Sequence, residues 1–253
     1  DGLFENTKKQ RHQTIYFWTH DGQFDNVEGF LTANKCNEII AADDYPSEEI
    51  KSTLGVPDDY MFRAAVPKLN QIASSNKPFT AVIMTASDHG PYYIPPYFNA
   101  KNKDKKQQIV EYADWSLRAF FEQSKEQPWY DNTLFVLVAD HGAVMRPVYE
   151  MPLSFNHVPL LFFAPNGEIP TQVNPEVTGQ LDVLPTIMDY LNLPFENNTL
   201  GINLNDTVNR PYMYFNGDDK YGVLDHNWFL IQKEDGTSGL YRYQKEDVTN
   251  YSS

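Results

Sequence analysis

Short apolar runs that alternate with helical patterns place this chain in the α/β class. Each run is four to seven residues long, which is the length of a strand buried within a sheet. Between the runs, apolar residues recur at helical spacing. Because strands and helices alternate in this way up to about residue 192, we expect a mostly parallel sheet with helices on both faces. The predicted buried strands are Ile15–Trp18, Phe79–Thr85, Leu134–Ala139 and Leu160–Phe163.

Three segments carry the helical pattern. Asp58–Ile72 has an apolar stripe and acidic residues in its first turn, and Pro67 predicts a kink or a break inside it. Ile109–Phe121 is apolar along one face, as in an amphipathic helix. Leu181–Leu191 is the third helix, and Pro185 is expected in its first turn, where proline is tolerated.

The end of the chain has a different pattern, because short strands follow one another without helices. Asp235-Gly236 predicts a hairpin-like turn between the last two of them. We therefore expect a single domain over residues 1–253, with the α/β core at about 15–192 and a small C-terminal antiparallel hairpin region at about 205–253. The strands predicted there are Tyr212–Phe215, Trp228–Gln232 and Leu240–Tyr243.

Charge and composition exclude several classes of protein. The chain has 20 Lys and Arg against 34 Asp and Glu, a formal net charge of −14. This balance argues against nucleic acid or an anionic membrane surface as the main partner, since both attract basic patches. No apolar run approaches the roughly 20 residues of a membrane-spanning helix, so the chain itself is expected to be soluble.

The tripeptide Asp-His-Gly occurs twice, each time just after a predicted strand. In an open parallel sheet ligands bind at the carboxyl ends of the strands, so both copies point to the side where chemistry is expected. A carboxylate beside an imidazole suits Mn²⁺, Zn²⁺ or Fe better than Ca²⁺ alone. The alternative is that each copy is ordinary turn chemistry. The two copies are Asp88-His89-Gly90 and Asp140-His141-Gly142.

Other polar residues give weaker signals. Trp18 and His20 end the first strand, where an aromatic ring and a hydrogen-bonding side chain suit a polar anionic substrate. The same residues are equally consistent with a tryptophan in the core and a histidine at the surface. His157 precedes a strand and is a further candidate at the same edge, whereas His12 is expected to be solvated and His226 to be structural.

Several familiar catalytic signatures are missing from the sequence. It has no P-loop, no dinucleotide fingerprint, no His-Glu-x-x-His and no Gly-x-Ser-x-Gly nucleophile elbow. Cys36 is the single cysteine and has no neighbouring His, so an inert thiol is favoured over a nucleophile.

A series of short motifs runs from about Ile15 to the end of the chain. They are Phe24-Asp25-Asn26, Gly55-Val56-Pro57-Asp58, Met84–His89, Tyr112–Ser116, Ala139–Gly142, Val158-Pro159-Leu160, Gln180–Thr186 and Asn227–Ile231. In order and spacing these motifs resemble the sulfatase-like branch of the alkaline phosphatase superfamily, in particular the lipoteichoic acid synthase and phosphoglycerol transferase group. Gln180–Thr186 resembles the Asp-x-x-Pro-Thr helix of sulfatases.

The resemblance implies roles for five residues. Asp140 and His141 would be ligands of a single divalent ion, with manganese expected first and zinc, calcium or magnesium as alternatives. His89 would contact the substrate phosphate. Trp18 and His20 occupy positions like those of a Trp-x-Arg pair that holds a glycerol-phosphate headgroup.

Two residues depart from the pattern of that group. His20 replaces an arginine, so a fixed bidentate cation becomes a shorter side chain with a titratable charge. Asp88 replaces the more usual asparagine, which adds negative charge beside a site that is expected to receive an anion.

The metal-binding Glu and the nucleophilic Thr of the group match nothing in this chain, and the Cys-x-Pro-x-Arg motif of formylglycine sulfatases is also missing. We therefore expect the C-terminal portion of a catalytic domain whose nucleophile lies elsewhere, and no activity from these 253 residues alone. In the full-length protein the resemblance implies the extracytoplasmic face of the membrane, with attachment only through the N-terminal region that precedes the matched motifs.

The expected function is metal-dependent transfer or hydrolysis at an anionic phosphodiester or sulfate ester through a phosphorylated Thr intermediate. A two-metal phosphatase or phosphodiesterase that uses both Asp-His pairs with His157 is one alternative. A catalytically inactive module that binds sugar phosphate is another.

Overall fold

The predicted parallel sheet lies in the N-terminal half of the chain. In the computed structural model, which describes residues 2–206 and 210–252, the chain divides into one unit up to Asn132 and another from Thr133 onward. The fold is α/β, with a parallel sheet, helices and antiparallel strands near the C-terminus. The prediction of a single domain over 1–253 stays a prediction.

The sheet of the first unit has the order β2-β1-β3, and both neighbours run parallel to β1. Trp18 at the end of β1 lies opposite Met84 at the end of β3. The carboxyl ends of these two strands therefore lie side by side. In chain order the elements are α1 (Leu3–Lys9), β1 (Gln13–Trp18), α2 (Val27–Ala33), β2 (Glu38–Ile40), α3 (Asp58–Ala73), β3 (Phe79–Met84) and α4 (Lys105–Ser124).

Strand β1 is the buried centre of this unit. Ile15 and Phe17 point to one face of the sheet, Thr14 and Trp18 point to the other, and all four are buried. Helix α1 packs on β1 through the rings of Phe4 and Tyr16, whose centroids are 6.4 Å apart. The β-branched and aromatic residues of β1 are those that fit a sheet covered on both faces.

Helices α3 and α4 pack on each other as their apolar stripes predict. The Phe62 and Phe120 rings lie 4.8 Å apart across this contact. The Tyr112 hydroxyl of α4 donates a hydrogen bond to the buried Asp59 carboxylate of α3. Burial and this carboxylate both raise the pKa of Tyr112, so the phenol stays protonated and keeps donating.

The break expected at Pro67 is not present. Helix α3 runs without interruption from Asp58 to Ala73. Pro67 and the residue four positions before it, Arg63, are both exposed, so the carbonyl that loses its partner can bond to water. Buried residues on both sides of the proline, including Met61 and Leu69, hold the two halves in one helix.

The strands expected to be buried on both faces are only partly covered. All six residues of β3 are half-buried, because β3 is the edge strand of its sheet. In the second unit, β4 (Phe135–Val138) pairs with β5 (Leu160–Phe163), and this pair is antiparallel. The alternation of strands and helices does not specify the direction of a single pair.

The C-terminal antiparallel region is a four-stranded meander in the order β6-β7-β8-β9. Its last turn holds Asp235-Gly236, with Gly236 at φ 87°, as the sequence predicts. The strand Lys220–Asp225 was not expected. The remaining elements of the second unit are α5 (Leu153–Asn156), α6 (Val183–Tyr190), β6 (Tyr212–Asn216), β7 (Lys220–Asp225), β8 (Phe229–Lys233) and β9 (Ser238–Tyr241).

A buried ion pair fixes the start of α6. Asp182 is fully buried and accepts hydrogen bonds from the Arg210 guanidinium at 2.9 and 3.0 Å. The same carboxylate accepts from the backbone N–H of Gly179 and of Ile202, each at 2.9 Å. Pro185 is the third residue of α6, in the first turn as expected. Among the described residues no helix is long and apolar enough to cross a bilayer.

Candidate functional site

An imidazole and two aromatic rings pack against one another at the carboxyl end of β1, and the Trp18 and Phe24 rings are 6.2 Å apart. The His20 ring is 5.5 Å from the Trp18 ring and 4.4 Å from the Phe24 ring. Trp18 is buried, whereas half of Phe24 is exposed. Nδ1 of His20 lies 3.4 Å from the carbonyl oxygen of Asp21. The predicted pair Trp18 and His20 thus forms one cluster, and Phe24 is a member that the sequence did not indicate.

The peptide between Trp18 and His20 is in close contact with Gly55. The Thr19 carbonyl oxygen accepts a hydrogen bond from the Val56 N–H at 3.3 Å. Gly55 has φ 87°, and a Cβ on it would lie 1.6 Å from the Thr19 oxygen. Only glycine satisfies both the positive φ and the close approach. This explains physically why a glycine stands in the Gly55–Asp58 motif.

His89 lies on the loop that follows β3, which is the strand next to β1. Its side chain is exposed, and Nδ1 lies 2.8 Å from the Gly90 carbonyl oxygen. Burial raises the pKa of the neighbouring Asp88 carboxyl, and the His89 charge opposes this rise. Asp88 is therefore a weaker acid than a fully solvated aspartate.

Asp140 and His141 follow β4 in the second unit. One Asp140 carboxylate oxygen, Oδ1, accepts from the His141 backbone N–H at 2.8 Å. The other, Oδ2, lies 3.7 Å from His141 Nε2. The His141 ring stacks on Phe155 with centroids 4.6 Å apart and planes at 18°. The carboxylate oxygen Oδ2 and the ring nitrogen Nε2 are thus held as neighbours.

The same hydrogen bond sets the tautomer of both Asp-His-Gly histidines. Nδ1 of His141 lies 2.8 Å from the Gly142 carbonyl oxygen, as Nδ1 of His89 does from that of Gly90. A carbonyl oxygen only accepts, so Nδ1 must carry the proton. The neutral ring then presents an unprotonated Nε2, which is the form that binds a metal ion.

Two contacts that the sequence did not reveal hold the Asp140 turn in place. The Gln180 side-chain amide donates to the carbonyl oxygens of Ala139 at 2.7 Å and of Asp140 at 2.8 Å. The Gly142 N–H donates to the Phe155 carbonyl at 2.8 Å. Gln180 belongs to a motif that was recognised, but its partners are far away in the sequence and only the fold brings them together.

The donor atoms of this pair are compatible with the expected metal ion. Nε2 and Oδ2 at 3.7 Å can both contact one ion at about 2.1 Å from each. The donor types, a neutral imidazole and a carboxylate, fit Mn²⁺ or Zn²⁺. In the described part of the chain no three His, Cys, Asp or Glu side chains form a group that could hold a metal. The pair therefore fits a metal ion in chemistry and spacing and would supply two ligands.

The remaining histidines and the cysteine have other surroundings. The expectation of a solvated His12 was wrong: its Nδ1 lies 2.9 Å from Thr80 Oγ1, and burial lowers its pKa. His226 pairs with Glu176 at 3.0 Å, in line with a structural role. The His157 ring is exposed.

Burial raises the pKa of the half-buried Cys36 thiol, which keeps it in the less reactive protonated form.

The fold is that of the alkaline phosphatase superfamily. A superfamily protein from Vibrio parahaemolyticus superposes with a TM-score of 0.88 at 20% identity, over 98% of this chain and 62% of that chain. The lipoteichoic acid synthase LtaP from Listeria monocytogenes gives a TM-score of 0.73 at 20% identity, over 94% of this chain and 66% of that chain.

Sequence comparison gives the family. The sulfatase family model matches residues 1–193, and the chain belongs to the sulfatase family. Lipoteichoic acid synthase 1 of Bacillus subtilis is 24% identical over 194 residues, 68% of this chain and 28% of that protein. Phosphoglycerol transferase I of Escherichia coli is 27% identical over 201 residues, 73% of this chain and 26% of that protein. The chain thus spans about a quarter of the length of these relatives.

The glycines of the two Asp-His-Gly copies provide a matched test of the packing around the Asp140-His141-Gly142 turn. A Cβ on Gly142 would lie 2.2 Å from the Ser154 carbonyl oxygen, whereas a Cβ on Gly90 would meet nothing within 4 Å. Gly142→Ala must push the turn away from α5, and we expect a loss of about 1–3 kcal/mol in the free energy of unfolding, measured in urea. Gly90→Ala is the control and should change little. Equal effects of the two substitutions would contradict this packing.

Proposed function

We propose that this chain is part of a metal-dependent phosphoglycerol transferase or sulfatase-like hydrolase that acts on an anionic phosphodiester or sulfate ester. The observation that carries the proposal is the Asp140-His141 pair, whose Nε2 and Oδ2 are held 3.7 Å apart with Nδ1 occupied by a backbone carbonyl. Membership of the sulfatase family supports it, as do relatives named for lipoteichoic acid synthesis and phosphoglycerol transfer.

Asp140 and His141 would hold one divalent ion, manganese first. When bound, the ion supplies positive charge that stabilises the developing oxyanion and lowers the pKa of a coordinated hydroxyl. The residues of this chain fix the ligands. The Gly142 carbonyl orients the His141 ring, Phe155 covers one face of it, and the Gln180 amide holds the backbone at Asp140.

His89 would donate a hydrogen bond to a non-bridging oxygen or to the leaving group. Its Nδ1 proton is already used by the Gly90 carbonyl, so the donor must be Nε2. Nε2 carries a proton only in the imidazolium form, since the neutral ring has one N–H. His89 therefore acts on the anion as a cation, whereas His141 acts on the metal as a neutral ring.

The Trp18, His20 and Phe24 cluster would receive the headgroup that follows the scissile ester. The same logic applies to His20, whose Nδ1 faces the Asp21 carbonyl and whose Nε2 is left for the ligand. An arginine at this position would present a fixed, bidentate cation to the anion, whereas His20 presents one ring nitrogen.

The nucleophile in this proposal is a threonine that none of the matched motifs of this chain supplies. In the first step the threonine oxygen would displace the alcohol of the ester, and in the second step the acceptor oxygen would displace the threonine. The place of action is proposed to be the extracytoplasmic face of the membrane, where a polymer or a phospholipid headgroup is accessible.

A Mn²⁺ titration of the 253-residue chain tests the metal pair. Paramagnetic broadening of NMR signals should appear first at the His141 ring, and His141→Gln should weaken binding by at least about tenfold. Because the chain supplies two ligands, the wild-type affinity should be low. His226→Gln is the control in the same unit, and it should bind Mn²⁺ as the wild type does. An unchanged affinity of His141→Gln would contradict the proposal.

Sulfate binding at one fixed pH tests the headgroup cluster. A hydrogen bond to a charged group contributes roughly 1.5 kcal/mol, or about tenfold in affinity, so His20→Gln should bind sulfate about tenfold more weakly than the wild type. His20→Arg places a fixed bidentate cation at the same position and should bind sulfate at least as tightly as the wild type. His12→Gln is the control and should bind sulfate as the wild type does. Equal affinities of His20→Gln and the wild type would contradict a contact between His20 and the anion.

A further inference from the structure

A buried carboxylate holds the loop that carries His89. Asp58, the first residue of α3, is 1% exposed. Its Oδ1 accepts hydrogen bonds from the backbone N–H of Ala86 at 2.9 Å and of Ser87 at 3.1 Å. Ser87 Oγ in turn accepts from the Asp58 backbone N–H at 3.2 Å. Helix α3 and the loop after β3 are thus joined by reciprocal bonds.

The position of Asp58 favours this arrangement physically. A carboxylate in the first turn of a helix is stabilised by the positive end of the helix dipole. Bonds from N–H groups to a charged acceptor are stronger than those to a neutral one. Both oxygens point toward the loop, because Oδ2 also lies 3.3 Å from the Ser87 N–H. Burial raises the pKa of Asp58, and the hydrogen bonds from Ala86 and Ser87 oppose this rise. The buried carboxyl thus fixes the backbone of the two residues before Asp88-His89.

The other end of the same short segment contacts the β1 cluster. Gly55 and Val56, which immediately precede Pro57 and Asp58, lie against the Thr19 carbonyl between Trp18 and His20. Gly55–Asp58 therefore joins the loop after β1 to the loop after β3. The two groups that are proposed to contact the anion in this unit, His20 and His89, are connected through it.

We propose that Asp58 is a positioning residue that sets the place of His89 relative to the Trp18 and His20 cluster. The inference depends on the proposed role of His89 in binding the anion. Asp58 itself touches no substrate in this account. Its removal should release the Ala86 and Ser87 amides and let the His89 ring move, while the strands beneath remain paired.

Three substitutions separate positioning from stability. Asp58→Ala removes both acceptor oxygens. Asp58→Asn keeps an oxygen in the place of Oδ1, which accepts both of the short bonds, and should rescue the loop. Leu69→Ala is the matched control, because Leu69 is a buried residue of the same helix that lies outside the Gly55–Asp58 segment.

The first readout is sulfate binding at pH 5.5, followed by NMR at the His89 ring. Asp58→Ala should weaken binding by about tenfold, as expected when the group that binds the anion loses its fixed place. Asp58→Asn should stay within about threefold of the wild type, and Leu69→Ala should match the wild type once unfolded protein is accounted for. Equal losses in Asp58→Ala and Leu69→Ala, or no loss in Asp58→Ala, would overturn the inference.

The second readout is amide hydrogen exchange at Ala86 and Ser87, which needs no ligand. In Asp58→Ala these two amides should exchange at least about tenfold faster than in Leu69→Ala, after correction for global stability. If wild-type His89 shows no response to sulfate, the proposed function of His89 fails. Exchange then still decides whether Asp58 holds the loop, because unchanged protection at Ala86 and Ser87 would overturn that claim independently.

Discussion

One hydrogen bond to its own backbone orients each of the three candidate histidines, two in the first unit and one in the second. Nδ1 of His89 and of His141 lies 2.8 Å from the carbonyl oxygen of the next residue, and that of His20 lies 3.4 Å from the equivalent oxygen. This bond occupies Nδ1 and leaves Nε2 for a ligand. The same geometry would suit a metal ion when the ring is neutral and an anion when the ring is protonated.

Buried carboxylates support these exposed rings in both units. Asp58 accepts the amides of the loop before His89, and Asp182 accepts the Gly179 N–H and the Arg210 guanidinium beside Gln180. Gln180 then holds the backbone at Asp140. In each unit a buried carboxyl thus supports the backbone near a candidate side chain, directly at His89 and through Gln180 at Asp140. Removing one partner of a buried ion pair, such as Asp182 and Arg210, lowers the free energy of unfolding by more than the pair contributes to it, because the other charge stays buried without a partner.

The sequence predicted those features that depend on local pattern. The apolar runs and the stripe of α4 predicted strands and helices that the structure contains, and the repeated Asp-His-Gly after two strands indicated His89 and the Asp140-His141 pair as candidates. The glycine of the second copy is required by a close approach to Ser154 that no pattern reveals.

What could not be predicted depends on contacts between distant residues. Phe155 and Gln180 lie 14 and 39 positions after His141 in the chain, yet one stacks on its ring and the other bonds beside it. The continuous α3 through Pro67 follows from buried residues on both sides, which outweigh one lost helix bond. The antiparallel pairing of β4 and β5 likewise follows from tertiary packing rather than from composition.

The most direct test of the central claim is the tautomer of the imidazoles, read from the ¹⁵N chemical shifts of the metal-free chain at pH 8. A free neutral imidazole favours the Nε2–H form. The account predicts the opposite for His89 and His141, with the proton on Nδ1 and an unprotonated Nε2, because the Gly90 and Gly142 carbonyls accept from Nδ1. Rings that carry the proton on Nε2 would contradict it, since the Gly90 and Gly142 carbonyls would then lack their donor and His141 would lack the free nitrogen that a metal ion needs.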